Sequence, residues 1–277
     1  MADVLSTATT HAVWIPEVWS KEVQLARESV LVLAGIIDRF DTDSASYGDI
    51  IHVPQVSNLT GGDISTSTGL LDAEAPTESE VQITINKWKG VNMKVLDIVL
   101  AQSKPEFRRL YTEKMGYLLG QLVEADLALL AASLSQTVGT FNTDPTDANL
   151  RRAVQHLDDA RAPFADRHFF LKPAVKNVIL GIDKFVRADA IGSGSAIKTG
   201  NVPGELYGAM VHISPEVYKT ASNTSNMLFH KSAFALAMQK SVKLEQFARV
   251  GWLDHFGGSE LYGVKEMRDD HGCEIRS

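Results

Sequence analysis

The chain has 277 residues, 44% of them hydrophobic and 22% charged, an ordinary globular composition sufficient for one large core or two modest ones. The opening residues lack the basic-then-apolar pattern of a signal peptide, and no apolar run of transmembrane length is expected. The single cysteine, Cys273, excludes an intramolecular disulfide and any multi-cysteine metal site. The net charge of −7 is unevenly placed. Between Phe40 and Asn86 lie Asp41, Asp43, Asp49, Asp63, Asp72, Glu74, Glu78 and Glu80 with no lysine or arginine, so the remainder of the chain is near neutral, at +1.

Residues 1–38 open polar and then carry Trp14, Ile15, Val18, Trp19, Val23 and Leu25, followed by the apolar run from Val30 to Ile37. Trp14-Ile15-Pro16-Glu17 predicts an extended arm that enters a helix at Pro16. Two tryptophans on a terminal arm are poorly placed in an isolated monomer. They are covered either by a neighbouring subunit or by the arm folding back on its own domain, and the sequence leaves both open.

The stretch from Asp49 to Lys94 reads as a long hairpin. Asp49-Ile-Ile-His-Val-Pro-Gln-Val is the outgoing strand, with Pro54 favouring an edge, and Val81-Gln-Ile-Thr-Ile-Asn-Lys-Trp alternates apolar and polar on the way back. The tip between them, Ser57 to Ser79, is too polar to form its own core and needs a partner surface to be ordered. The returning strand continues through Val91–Ile98 into a long helix over Ser103–Leu134. Phe107, Tyr111, Met115, Leu118, Leu122, Ala125 and Leu129 recur there at steps of three and four. Ser103 and Glu106 have capping-box spacing, Pro105 falls in the first turn, and Gly139 stands near the end. At 1.5 Å per residue this helix would be about 45 Å long, a spine for the other elements. Glu124 and Asp126 lie in its most apolar part and argue against a membrane span. Gly116 and Gly120 mark either a close-packing notch, the preferred reading, or a bend.

A second region begins at Asp144-Pro145-Thr146-Asp147. It comprises a helix from Leu150 to Arg161 with Asp147 as cap, a strand at His168–Leu171 ending at Pro173, and a helix from Ala174 to Val186. A glycine-rich loop over 190–204, a strand from Leu206 to Ile213 and a polar turn from Ser222 to Asn226 follow. Strand-like segments at Met227–Phe229, Ala233–Met238, Val242–Val250, Leu261–Met267 and Cys273–Ile275 complete the chain. Strands before and after helices, without regular alternation, indicate an α+β fold.

Catalytic chemistry has little footing. There is no Walker A loop, no Gly-x-Ser-x-Gly elbow and no His-Glu-x-x-His, and Gly192-Ser-Gly194 lacks the third glycine and the setting of a dinucleotide fingerprint. His255, His271 and Cys273 fit no standard zinc spacing, and the two histidines read as exposed loop residues. Asp158-Asp159 and Asp269-Asp270 read as solvated faces, because adjacent residues do not point the same way. Arg108-Arg109 and Arg151-Arg152 form no basic patch with interleaved aromatics. No catalytic, cofactor-binding or metal residue is therefore expected. The rival to a structural role is a hydrolase or transferase whose lid is the acidic loop 57–79, and no convergent residue set accompanies it.

The order of parts resembles the major capsid proteins of tailed bacteriophages, the Hong Kong 97 fold. Leu206-Tyr-Gly-Ala-Met-Val-His-Ile-Ser is similar to the strand leaving the axial domain of that family, and His168-Phe-Phe-Leu-Lys-Pro followed by a helix to its core. Met227-Leu-Phe-His-Lys-Ser-Ala-Phe-Ala-Leu-Ala-Met-Gln is similar to its buried strand, and Leu261-Tyr-Gly-Val-Lys to its last tyrosine–glycine turn. The resemblance spans nearly the whole chain. It implies an N-terminal arm at 1–38, an extended hairpin loop (the E-loop) at 39–95, a peripheral domain with the spine helix at 96–146, an axial domain at 147–226 and returning strands at 227–277. It implies self-assembly into the hexamers and pentamers of an icosahedral head in the virion, built in the host cytoplasm around double-stranded DNA held non-specifically, with no membrane and no cofactor. Asp63, Asp72, Glu74, Glu78 and Glu80 would be inter-subunit contacts of the E-loop, and Trp14 and Trp19 contacts of the arm. Further implied partners are a separate scaffolding protein, a portal and a decoration protein. Two departures from the family stand out. The absence of lysine from Phe40 to Asn86 removes the loop crosslink some members form, and the arm begins almost at Met1, without the cleaved scaffolding segment of others.

Overall fold

The computed structural model describes residues 31–41, 48–56, 61–64, 78–96, 98–99, 106–182, 204–221 and 223–277, with side chains left aside at 106–110 and 242–250. The arm with Trp14 and Trp19, the hairpin tip with Asp72 and Glu74, the cap residue Ser103 and the loop 190–203 lie outside the described residues.

In chain order the elements are α1 (Leu33–Ile36), β1 (Asp38–Arg39), β2 (Ile50–Val56), β3 (Glu78–Thr84), β4 (Lys87–Leu96), α2 (Glu106–Leu129), β5 (Thr137–Val138), α3 (Asp147–Asp159), β6 (Arg167–Leu171) and α4 (Pro173–Leu180). They continue with β7 (Glu205–Leu206), β8 (Ala209–Ile213), β9 (Lys219–Thr220), β10 (Asn223–His230), β11 (Phe234–Val250), β12 (Leu253–Glu266) and β13 (Gly272–Arg276). Among the described residues the strands form three sheets. One is the ribbon β2–β3. The second has the order β1-β11-β12-β4. The third is seven-stranded, in the order β5-β13-β10-β6-β8-β7, with β9 paired to β10.

The helix α2 joins the two larger sheets. Its buried stripe is Met115, Leu119, Val123 and Leu127, spaced by four and continued by Ala131 just past its end. This stripe differs from the expected face, since Leu118 and Leu129 are each 42% exposed. Sequence spacing of three and four fits two adjacent faces of so apolar a helix, and only packing selects one. The helix is about 36 Å long, with a 3₁₀ turn, Leu130–Ser133, added at its end. One core gathers Val123 and Leu127 of α2 and Ala131 of the 3₁₀ turn with Leu33 and Ile37, Phe170 and Phe229 of the seven-stranded sheet, and Leu236 and Tyr262 of the four-stranded sheet. A second core lies on the far face of the seven-stranded sheet, where α3 (Leu150, Ala153, Leu157) and α4 (Val175, Ile179) cover Phe169, Leu171, Leu228 and Ile275.

The carboxylates inside the apolar part of α2 serve this packing. The segment Tyr111–Ser133 is long and apolar enough to cross a membrane by composition. Glu124, however, is buried and accepts hydrogen bonds from the backbone N–H of Val32 (2.8 Å) and Leu33 (3.0 Å), fixing the first turn of α1 against the helix. Burial raises the Glu124 pKa above its ordinary value. Gly120 is a packing notch: a Cβ there would stand 2.8 Å from Leu31 Cδ1.

Several expectations change in detail. The N-cap of α3 is Thr146, whose side chain accepts from the Asn149 N–H, and Asp147 instead occupies the first turn, paired with Arg151 at 3.2 Å. Leu206–Ile213 is not one strand but the hairpin β7–β8, turned by Tyr207 and Gly208, both at positive φ. Ser222–Asn226 is not a polar turn: β10 starts at Asn223, and Thr224, Ser225 and Asn226 are buried in it. Their polarity is met by the neighbouring strands. Asn226 accepts from the Lys172 N–H at 2.8 Å and donates to the Ile275 carbonyl at 3.1 Å and to Ser277 Oγ at 2.9 Å. Asp158 is not merely solvated but meets Arg167, whose side chain is buried, at 2.6 Å. Asp269 accepts from both the backbone N–H and the hydroxyl of Ser135.

Candidate assembly surface

The acidic ribbon is attached to the body at its root and has little of its own to bury. In β2 and β3 the register runs from Ile50 opposite Thr84 to Val56 opposite Glu78. Ile83 and Ile85 point inward onto Ala235 and Ala237 of β11, joined by Ile51, Val53 and Leu261. The alanines keep the outer face of the four-stranded sheet low enough for a second layer, and Gly263 of β12 completes the seat. A Cβ at 263 would collide with the Thr84 carbonyl oxygen and come within 2.9 Å of its carbon and 3.2 Å of Ile85 Cα. Polar ties add to this: Ile85 N–H donates to Asp49 O at 2.7 Å, Gln239 Nε2 to Gly48 O at 2.9 Å, and Gln55 Nε2 to Met267 O at 3.3 Å.

Beyond the root the ribbon turns apolar and acidic groups outward together: Val56 is 74% exposed, and Glu78 and Glu80 are exposed as well. In the separate described stretch 61–64, Ile64 is 63% exposed and Asp63 is exposed too. Glu80 accepts from Gln82 Nε2 at 2.6 Å and lies 2.9 Å from His52 Nδ1, contacts that hold its carboxyl below the usual range and keep it ionised. Of the residues expected to form inter-subunit contacts, Glu78 and Glu80 lie exposed on β3, and Asp63 is exposed in the separate described stretch 61–64. Asp72, Glu74, Trp14 and Trp19 lie outside the described residues.

A cleft of about 880 Å³ separates the ribbon from the corner that follows β12, lined by Phe40, Val53, Val56, Met267 and Arg268 among others. Ser232 reaches it, with Oγ 2.8 Å from His230 Nδ1 and 2.9 Å from His271 Nδ1. His230 Nδ1 also accepts the Ser232 N–H, capping the 3₁₀ turn Lys231–Ala233, so this group fastens a corner of the chain. Neither histidine is exposed in a loop: His255 is half-buried in β12 and His271 is buried, and Cys273 is buried as well because β13 runs inside the seven-stranded sheet. Burial pushes the Cys273 thiol up to about 12, which leaves it protonated and unreactive. Among the described residues no three His, Cys, Asp or Glu side chains converge as metal ligands.

One polar cluster escapes motif reading. Asp126 of α2 accepts the Tyr262 hydroxyl at 2.7 Å and faces Lys87 at 3.2 Å and Lys89 at 3.6 Å, with Glu260 buried beside them. Parity along β12 is the signal: Glu260 shares the inward positions of Phe256 and Tyr262, so a carboxylate must lie under the helix.

No protein-family model matches the sequence, and no curated protein matches it. Solved structures do. The chain superposes on one from Mycobacterium phage Che8 with a TM-score of 0.80 at 22% identity, covering 94% of this chain and 96% of that one. A chain of the capsid of Cyanophage P-SCSP1u gives 0.76 at 18%, covering 94% and 92%. One from the capsid of a native GTA particle gives 0.72 at 11%, covering 99% of both chains. The chain has the Hong Kong 97-type fold of tailed-phage capsid chains.

Proposed function

We propose that this chain is the major capsid protein of a tailed phage, self-assembling into the hexamers and pentamers of an icosahedral head around double-stranded DNA. The observation that carries the reading is end-to-end superposition on capsid chains, with almost nothing left over on either side. The ribbon adds a physical reason for assembly. An element with Val56 bare and Glu78 and Glu80 exposed gains little in a lone subunit, and a neighbouring copy supplies the missing surface. In this reading residues 39–95 are the E-loop that lies over the neighbour and 1–38 an arm contacting it through Trp14 and Trp19. Residues 96–146 form the peripheral domain, 147–226 the axial domain, and 227–277 return to both. A scaffolding protein, a portal and a decoration protein are the further partners, and the packaged DNA is held without sequence preference. The enzymatic alternative, a lid over residues 57–79, gains no observation.

The test is electron microscopy with light scattering on the purified protein and on the variant D72K/E74K/E78K/E80K. Uniform shells, tubes or capsomers are expected from the parent. The variant should keep the circular dichroism of a folded subunit and form none. Normal shells from the variant would remove the acidic ribbon from the interface. A compact small oligomer from the parent with no larger assembly would remove the capsid reading itself.

A further inference from the structure

The contact between α2 and β12 contains a buried acid that nothing in the fold requires. Glu260 is 1% exposed, and among the described residues neither of its carboxylate oxygens has a hydrogen-bond partner. Such a group is costly when charged and unpaired, so it ordinarily signals either a proton or a partner that arrives in another state. Both are available here. In the β12–β4 ladder Glu260 stands directly opposite Lys89, and Tyr262 opposite Lys87. Directly opposed residues have Cβ atoms about 5 Å apart, well within the reach of a lysine. Yet the Lys89 ammonium is turned to Asp126 on the helix, at a loose 3.6 Å, while Asp126 already has Lys87 at 3.2 Å and the Tyr262 hydroxyl at 2.7 Å. One cation therefore stands between two carboxylates, only one of which it serves.

We propose that the α2–β12 contact is a two-state joint in which Lys89 exchanges partners between Asp126 and Glu260, with one proton on Glu260 selecting the state. When Glu260 is protonated it is neutral and tolerates burial, and Lys87, Lys89 and Tyr262 together hold Asp126, clamping the helix to β4. When Glu260 ionises, its charge requires the nearest cation. Lys89 crosses to it, and the helix keeps only Lys87 and Tyr262. Among the described residues the charged or titratable groups facing Glu260 are Asp126 from α2, Lys87 and Lys89 from β4, and Tyr262 from its own strand. Burial and then Asp126 push the Glu260 carboxyl up to about 7, with Lys89 pulling the other way, which puts the exchange near neutral pH.

Hydrogen exchange of the full chain at pH 6 and pH 8, corrected for the intrinsic pH dependence of exchange, tests this. In the parent, protection in β4 and around Asp126 should fall several-fold between the two values. E260Q should keep the pH 6 pattern at both. K89M, which removes the partner of the ionised state, should move the transition upward by about one pH unit. If E260Q does not fold, D126N replaces it, and the transition should then move downward because a like charge is gone. A parent profile indifferent to pH, an E260Q (or, in its place, D126N) profile identical to the parent, or K89M leaving the transition in place would each overturn the joint.

Discussion

Gly263→Ala addresses the attachment of the acidic ribbon directly. The new Cβ would meet backbone, not the flexible end of a side chain: the Thr84 carbonyl group and Ile85 Cα, the latter at 3.2 Å. Restoring ordinary contact requires β3 to lift from β12 by about 1 Å. That displacement opens the layer in which Ile83 (0% exposed) and Ile85 (6%) rest on Ala235 and Ala237. Overpacking of this kind costs about 1–3 kcal/mol, and losing half the burial of one isoleucine adds about 1 kcal/mol, so about 3 kcal/mol is expected locally. The cost falls on the ribbon's seat and leaves both α2 and the seven-stranded sheet untouched. Proteolysis should accelerate within residues 48–86 while circular dichroism changes little, and assembly measured by light scattering should slow or stop. Gly35→Ala, at a site where a Cβ meets nothing within 4 Å, is the matched control and should assemble normally. Parental protease resistance and normal assembly of Gly263→Ala would refute the claim that this glycine seats the ribbon.

Asn226→Leu removes three hydrogen bonds from the centre of the seven-stranded sheet and leaves the Lys172 N–H and the Ile275 carbonyl without that partner. A loss of about 3 kcal/mol in denaturant unfolding is expected, larger than for a surface polar residue. Acid sensitivity follows from four histidines at one end of that sheet. Burial lowers the pKa of His168, His212, His230 and His271 from the ordinary 6.5, and His212, 3.1 Å away, lowers His168 further. The unfolded chain thus takes up protons at higher pH than the folded one. Stability should be fully present above 6.5 and be lost as pH falls through the lowered folded values. A urea midpoint unchanged between pH 7 and pH 5 would contradict this.

The elements with a strong local period were legible in the sequence. The alternation of Val81-Gln-Ile-Thr-Ile shows which side of β3 is buried, and the exposure of Glu78 and Glu80 on that strand fits the run without lysine or arginine. What stayed hidden was decided by partners far away in the chain. Asn223–Asn226 looks like a turn because its residues are polar, yet strands from 167–171 and 272–276 flank it and supply the bonds that make polarity tolerable inside. The face of α2 was ambiguous because leucines surround the helix, and only packing with Leu33, Phe229 and Tyr262 takes Val123 and Leu127 inside while Leu118 and Leu129 stay out. Asp126 and Glu260 carry no motif. Their meeting depends on the register of β12 against β4 and on a helix 130 residues earlier.

The position of β13 bears on when a subunit becomes usable. Gly272–Arg276 lies between β5 and β10, in the interior of its sheet and not at the rim. Until those residues leave the ribosome, Asn226 has no Ile275 to bond and the far core has no Ile275 or Cys273 to fill it. At roughly 5–20 residues per second β10 waits about 2–9 seconds with that edge open. A chain stopped short of residue 272 cannot close the sheet, so in the proposed function an incomplete product is kept out of assembly by the topology of the fold.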